Sequence, residues 1–413
     1  MRVAFSGNGF IGHLVPMFPL MRAFVAAGHE VAVLTSSDLA GFLHREASDR
    51  LVVLPAGPLA AVTMARMATE TGSSPATDPV PPIIAEFFAG RQVDAGFSSA
   101  LAAANGWAPS VVIGESMDFI GPLVAGSLGI PFYRHTFGPT RPRRLTEELQ
   151  AVAVRRAEKL GVPLAGTQAV IDIFPAFLQA PTDDPQPRRL PLRPEIHHRD
   201  DRGDRTDRRD RGDRGDRRDR GDREGRRDLS PAVVAGEPEA SREHARQTVL
   251  VTFGTVFTDP AVRESVVGSF DPARWDVIVT TGADGNAELP RQESTRSYVP
   301  FVPLDELLPG VDLVVTAGGA GTVLSALAAG LPMVIMPLGA DHGINAARAE
   351  AAGVAVVVHA PADVGAAGDL IVSDPAFRDR ARQVADRIRT LPTARAVADQ
   401  LVDEIGQGTT DDH

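Results

Sequence analysis

The stretch VDLVVTAGGAGTVLSALAAGLPMVIMPLGADHGIN, residues 311–345, reads as a strand, a glycine-rich turn, a helix and a second strand. Its opening apolar run, 311–316, is bounded by glycines, as a buried strand would be. Gly318, Gly319, Gly321 and Thr322 follow, leading into a helix over 321–329. The first N–H groups of a helix have no partner inside it, and with the Thr322 hydroxyl they can converge on an anion. A tight turn could use these glycines for shape alone. The length of the cluster and the threonine at the helix start favour a diphosphate site. The second strand, 333–336, runs into Pro337-Leu338-Gly339-Ala340-Asp341-His342 and, shortly after, Asn345. An acid, an imidazole and an amide on one turn offer the fixed donors and acceptors that sugar hydroxyls need. Asp341 could equally cap the helix expected from 343.

Outward from this stretch the same alternation continues. Strands are expected at 248–253, 276–280 and 354–358, with helices at 343–352, 375–389 and 393–405. Thr252, Gly254 and Thr255 close the first of these strands, and Gly282 follows the next, where open space suits a base or ribose. The N-terminal half repeats the pattern: strands at 2–6 and 30–35 flank helical spacing over 14–27. Further strand candidates lie at 51–54 and 110–113, and a helix over 119–128 precedes another strand after Pro131.

Between the halves, composition breaks near Asp183, and 199–228 reads RDDRGDRTDRRDRGDRGDRRDRGDREGRRD. With almost no apolar side chains, such a segment cannot offset its ordering entropy and is expected to be a solvated linker. Its RGD triplets follow from repetition of three residue types. The expected division is an N-terminal domain at 1–182, a linker at 183–246, a C-terminal domain at 247–390 and a terminal helix with polar tail at 391–413. The fold class is α/β, with two Rossmann-like domains facing across a cleft at the carboxyl ends of their strands.

The totals narrow the function. A net charge of -11 argues against general nucleic-acid binding, which needs a basic footprint. The absence of cysteine excludes disulfides, thiolate metal sites and cysteine nucleophiles. The N-terminal MRVAFSGNGF lacks the apolar core of a secretory signal, and no apolar run approaches a membrane span, so a cytoplasmic location is expected.

Gly7, Gly9 and Gly12 fit G-x-G-x-x-G after the first strand, with Asp38 after the second, which taken alone would suggest an NAD-dependent oxidoreductase. The continuation Gly12-His13-Leu14-Val15-Pro16 points elsewhere, because it sets an imidazole at the mouth of the cleft. Histidine suits proton abstraction near neutral pH, and a carboxylate on its far nitrogen would fix its tautomer and stabilise the imidazolium. Glu115 and Asp118, after the strand at 110–113, are the candidates. Asp118 stands where a helix cap would, which favours Glu115 as the partner.

Taken together, these stretches resemble the family-1 branch of the GT-B glycosyltransferases that decorates macrolides, enediynes and aromatic polyketides in bacteria. The similarity lies in GHLVP at 12–16, GPLVAGSLGIP at 121–131, VIDIFPAFLQ at 170–179, VLVTFGTV at 249–256, YVPFVPLDELLPGVDLVV at 298–315, and the block 316–345. The resemblance implies inverting, metal-independent transfer of a sugar, typically a deoxysugar on dTDP, to a hydroxyl of a natural-product aglycone. It makes His13 the general base and Glu115 its partner, and sets Phe301, Val302 and Pro303 against the nucleobase and Asp341-His342 against the sugar. Phe10, Ile11, Phe88, Met117, Phe119 and Phe137, with Phe87 and Phe97 nearby, are the apolar candidates for holding the aglycone, although such residues are often plain core.

Three features depart from the family pattern. Ala317 replaces a histidine that contacts the diphosphate, which would forgo about 1.5–3 kcal/mol if nothing compensated. His342 replaces the usual glutamine, and the linker is unusually long and charged, although a solvated loop adds little closure cost. The Ala317 change keeps a second reading open, a catalytically weak binding or partner protein of the same fold. A homodimer is an open possibility.

Overall fold

The computed structural model describes residues 1–181, 187–199, 246–254, 259–281, 291–300 and 302–408. The N-terminal sheet contains β1 (Arg2–Ser6), β2 (Glu30–Thr35), β3 (Val52–Pro55), β4 (Val111–Glu115), β5 (Phe132–His135), β6 (Thr167–Asp172) and β7 (Arg189–Pro191). They lie in the order β3-β2-β1-β4-β5-β6-β7, and every neighbouring pair is parallel. The C-terminal sheet contains β8 (Gln247–Thr252), β9 (Trp275–Thr280), β10 (Arg291–Glu293), β11 (Arg296–Val299), β12 (Leu313–Thr316), β13 (Met333–Ile335) and β14 (Ala355–Val357). Its order is β10-β11-β9-β8-β12-β13-β14, with only the β10–β11 pair antiparallel. Each sheet reverses its winding at its first strand, between β1 and β4 and between β8 and β12. In such sheets the crevice for ligands opens beyond the carboxyl ends of the strands at that switch.

The sequence explains the layering. Val3–Phe5 of β1 and Val111–Ile113 of β4 are apolar and buried on both faces, as the centre of a parallel sheet covered by helices must be. The helix Gln92–Trp107 turns Val93, Phe97, Ala100 and Ala104 inward, a spacing of three to four residues that gives one apolar face.

Several boundaries differ from the sequence expectation. The single helix expected over 14–27 is three pieces, an α-turn at Ile11–Leu14, a 3₁₀ turn at Val15–Met17 and a helix at Phe18–Ala26. Pro16 and Pro19 lack the N–H that would continue the ladder, so each is accommodated in the first turn of its own segment. The strands β6, β7, β10 and β11 carry polar residues or span only three or four positions, which left them without a clear apolar signal. Moreover, β7 falls inside the stretch expected as linker from 183, so the N-terminal sheet extends beyond that boundary. The charged segment 200–245 lies outside the described residues.

The terminal helix Ala394–Gly408 crosses back to pack on Phe18–Ala26 of the first domain. Where the chain makes this return, the Arg193 N–H donates to the Pro392 carbonyl at 2.8 Å. A contiguous apolar cluster includes Phe18 and Leu20 of the first domain with Leu324 and Leu327 of the second and Leu401 of the terminal helix. Among the described residues, no helix is long and apolar enough to cross a membrane.

His135 ends β5 opposite Glu115 on β4 and is fully buried. Among the described residues neither of its ring nitrogens has a hydrogen-bond partner, and burial pushes its pKa down to about 4. Since the ordinary histidine value is 6.5, the unfolded chain binds this proton more readily than the folded one, and stability falls as pH drops through the interval between them. His135→Leu is expected to cut the stability lost between about pH 7 and pH 5 by about 2 kcal/mol, measured by urea unfolding. A variant with the parent's pH dependence would contradict this role for His135.

Candidate active site

The N-terminal half of the site forms where the turn after β1 meets the end of β4. Glu115 is fully buried there and His13 partly so, with the His13 Nδ1 3.3 Å from Glu115 Oε1. Asn8 sits between them, and its Nδ2 donates to Glu115 Oε1 at 2.5 Å and lies 3.1 Å from His13 Nδ1. The Asn8 amide is oriented by its other end, since its Oδ1 accepts from the Phe10 N–H at 3.4 Å. Its own backbone carbonyl accepts from Gln92 Nε2 at 3.1 Å. The second carboxylate oxygen of Glu115 accepts from the Met117 N–H at 2.6 Å. Since the Asn8 amide nitrogen can only donate, a proton on His13 Nδ1 must face Glu115 while Asn8 gives its own proton to the carboxylate; Nε2 then keeps its lone pair for a substrate.

Asp118 is elsewhere engaged. Its oxygens accept from the N–H groups of Ile120 at 3.1 Å and Gly121 at 2.9 Å, at the start of the helix Ile120–Leu128. Burial, reinforced by the nearby Glu115 charge, pushes its pKa up to about 6. Of the two acids, Glu115 is therefore the one beside His13. Asn8 was not anticipated from sequence; its only sign was an amide inside the first glycine turn.

Aromatic rings surround the imidazole. Phe137 lies 4.2 Å from it between centroids, Phe10 lies 5.5 Å away, and Phe88 is stacked at 5.9 Å. Ile11 is partly buried against the core beside them. Met117 and Phe119 are 5% and 4% exposed, and Phe87 is fully buried, its ring against Phe88. The rings at the imidazole are thus Phe10, Phe88 and Phe137, while Phe87, Phe97 and Phe119 serve mainly the core.

The C-terminal half is built on the turn after β12. Gly318 has φ +96, and a Cβ there would meet the His342 carbonyl and Ile335 at 3.0 Å, so glycine is required on both counts. The helix Ala320–Ala329 starts at Gly319 with no side-chain cap, which leaves the N–H groups of its first turn, including Gly321 and Thr322, for an external acceptor. Asn345 ties the two loops together, with Nδ2 donating to the Gly318 carbonyl at 2.8 Å and to Asp341 Oδ2 at 2.9 Å. Among the described residues its buried Oδ1 has no partner. Asp341 occupies the cap position of His342–Ala351, yet its side chain makes no cap bond. His342 is buried, which lowers its pKa against the opposing pull of Asp341, and its Nδ1 accepts from the Leu338 N–H at 3.4 Å.

Other expected donor contacts fall differently. Ala317 is 1% exposed and packs in the apolar cluster of Val251 and Val315, so its methyl occupies core space rather than the open side of the loop. Thr252 is buried and accepts from Thr280 Oγ1 at 2.9 Å, within the sheet. Gly254 has φ +74 with open space around it. Val302 is partly buried and Pro303 buried at the start of Leu304–Leu307. Thr255, Gly282 and Phe301 lie outside the described residues.

The two halves meet at Gly138, next to Phe137, the ring nearest His13. A Cβ on Gly138 would lie 3.3 Å from the Ala320 methyl, 3.5 Å from Asp341 Oδ2 and 3.6 Å from Asn345 Oδ1. The imidazole and the second glycine loop therefore share one cleft.

Known proteins match this arrangement from end to end. The family model for the N-terminal domain of erythromycin biosynthesis protein CIII-like proteins matches residues 85–188, and that for their C-terminal domain matches 266–404, together more than half of the chain. The elloramycin glycosyltransferase ElmGT of Streptomyces olivaceus is 27% identical over 99% of both chains. The L-demethylnoviosyl transferase of Streptomyces niveus is 28% identical over 98% of both. The Streptomyces sp. SF2575 glycosyltransferase SsfS6, solved in complex with thymidine diphosphate, superposes with a TM-score of 0.72 at 24% identity, covering 98% of this chain and 99% of that one. With the two-sheet architecture and the motif order, these matches establish that the chain is a GT-B glycosyltransferase of the erythromycin biosynthesis protein CIII-like family, in the bacterial natural-product branch of family 1.

Proposed function

We propose that this chain transfers a sugar, with inversion, from a thymidine diphosphate donor to a hydroxyl of a natural-product aglycone, with His13 as the general base. The observation that carries this reading is the cluster of Asn8, Glu115 and His13, in which Glu115 faces one imidazole nitrogen and, among the described residues, no side chain engages the other, beside three aromatic rings. The thymidine diphosphate bound by SsfS6 supports the nucleotide, and the aglycone-modifying relatives support the acceptor class. Family membership removes the oxidoreductase reading of the first glycine turn.

In the proposed reaction the acceptor hydroxyl gives its proton to His13 Nε2 while its oxygen bonds to the anomeric carbon. The bond from that carbon to the diphosphate breaks on the opposite face, and the leaving group departs with the electron pair. Glu115 stabilises the imidazolium across the ring. The uncapped first turn of Ala320–Ala329 meets the charge that develops on the diphosphate. Asp341 and the unpartnered Asn345 Oδ1 are placed to accept from sugar hydroxyls.

His13→Ala is expected to lower kcat by about 10²–10⁴-fold while the Kd for thymidine diphosphate, measured by calorimetry, stays within about twofold. Loss of both together would sink the assigned role. Asn8→Ala is expected to lower kcat by about tenfold with KM little changed, because it removes a hydrogen bond to the buried carboxylate that orients the base. A change confined to KM would place Asn8 in substrate binding instead. The proton spectrum of the product should show the anomeric configuration opposite to the donor's; retention would exclude a single displacement.

A further inference from the structure

On the His13 side of the cleft, two guanidinium groups share one backbone carbonyl. Arg141 Nη1 donates to the Ser116 carbonyl at 2.8 Å, and Arg134 Nη1 donates to the same oxygen at 3.2 Å. Arg134 is held over the rings of Phe119 and Phe132, at 5.6 Å and 5.2 Å from their centroids. Arg141 Nη1 also lies 3.6 Å from Met117 Sδ. The Arg141 Nε is buried, with no hydrogen-bond partner among the described residues. Among those residues no carboxylate lies within ion-pair distance of either guanidinium; Glu115 and Asp118 act on them only from farther away.

Two cations held side by side and partly withdrawn from water ordinarily need an anion to compensate them. One peptide oxygen is poor compensation for two groups that each carry five N–H donors. The strain is visible in Arg141, whose pKa burial and then the repulsion of Arg134 push down to about 10, which leaves it protonated at neutral pH. The planar fork of an arginine matches a carboxylate or another delocalised oxyanion.

The position of the pair chooses between the two anions that could enter this cleft. Ser116 and Met117 follow Glu115 directly, and Met117 donates to that carboxylate, so the pair is anchored to the loop that holds the base. The donor diphosphate has its own amides at Gly319–Thr322. We infer that Arg134 and Arg141 form an oxyanion subsite for the acceptor, selecting aglycones that carry a carboxylate or an ionised phenol or enol near the hydroxyl to be glycosylated. This rests on the transferase reading above, and it adds a charge requirement to an acceptor pocket otherwise lined by phenylalanine.

Hydroxynaphthoate and naphthol make a matched pair of probes, differing by one carboxylate, and their binding is measured by calorimetry on the full chain. The parent is expected to bind hydroxynaphthoate at least about tenfold more tightly than naphthol, the size of a charge-assisted hydrogen bond. Arg141→Gln should abolish that preference while leaving naphthol and thymidine diphosphate affinity unchanged, and Arg141→Lys should restore part of it. Equal binding of the two probes by the parent, or no binding of hydroxynaphthoate, overturns the proposal. A loss of thymidine diphosphate affinity in Arg141→Gln also overturns it and assigns the guanidinium to the donor. Failure of the parent itself to bind thymidine diphosphate would count against the transferase reading and leave the probe comparison intact.

Discussion

The buried carboxylate of Glu115 is the constraint around which the first half of the site is arranged. Removing such a charge from water costs several kcal/mol unless donors surround it. Here they come from three separate parts of the chain, the turn after β1, the following helical turn and the loop after β4. Satisfying one charge therefore fixes the position of all three. The close fit leaves no room at Gly7, where a Cβ would come within 2.5 Å of Leu14 and 3.5 Å of Glu115. In the glycine turn that looked like a dinucleotide fingerprint, Gly7 thus makes room for Leu14, and Gly9 has φ +76 and lies against the backbone of Leu59 and Ala60.

Charged and neutral groups alternate within a few residues of that carboxylate. Asp118 holds its proton to about 6 and His135 refuses one until about 4. Their effects on folding have opposite signs, because a raised carboxylate makes the folded state the better proton binder between 3.8 and 6, whereas a lowered histidine does the reverse. Over the mildly acidic range the two contributions therefore oppose each other.

Much of this was legible in the sequence, and the parts that were not share a cause. Strand–turn–helix boundaries depend on local patterns, so both glycine loops, His13, Asp341 and Asn345 could be placed on strand ends from residue types alone. The preference for Glu115 over Asp118 also rested on a local signal, the position of a helix cap. Asn8 could not be found this way, since its role depends on an approach to Glu115 across 107 residues. Ala317 was read as a missing phosphate contact because the family it resembles has a histidine there, and its packing direction was not legible. The alternation of β12 instead continues through it, and Val315 and Ala317 share the inner face. Arg134 and Arg141 carried no motif at all, and their convergence on Ser116 belongs to tertiary structure.

The terminal helix returns to the first domain and packs on Phe18–Ala26, and the hydrogen bond from Arg193 to Pro392 fastens the segment after β7 to the approach of that helix. Ala394–Gly408 thus completes the core of the first domain, although the chain reaches it only by way of the second. A cut before Ala394 would therefore uncover apolar surface in the first domain, on residues far from the cut in sequence.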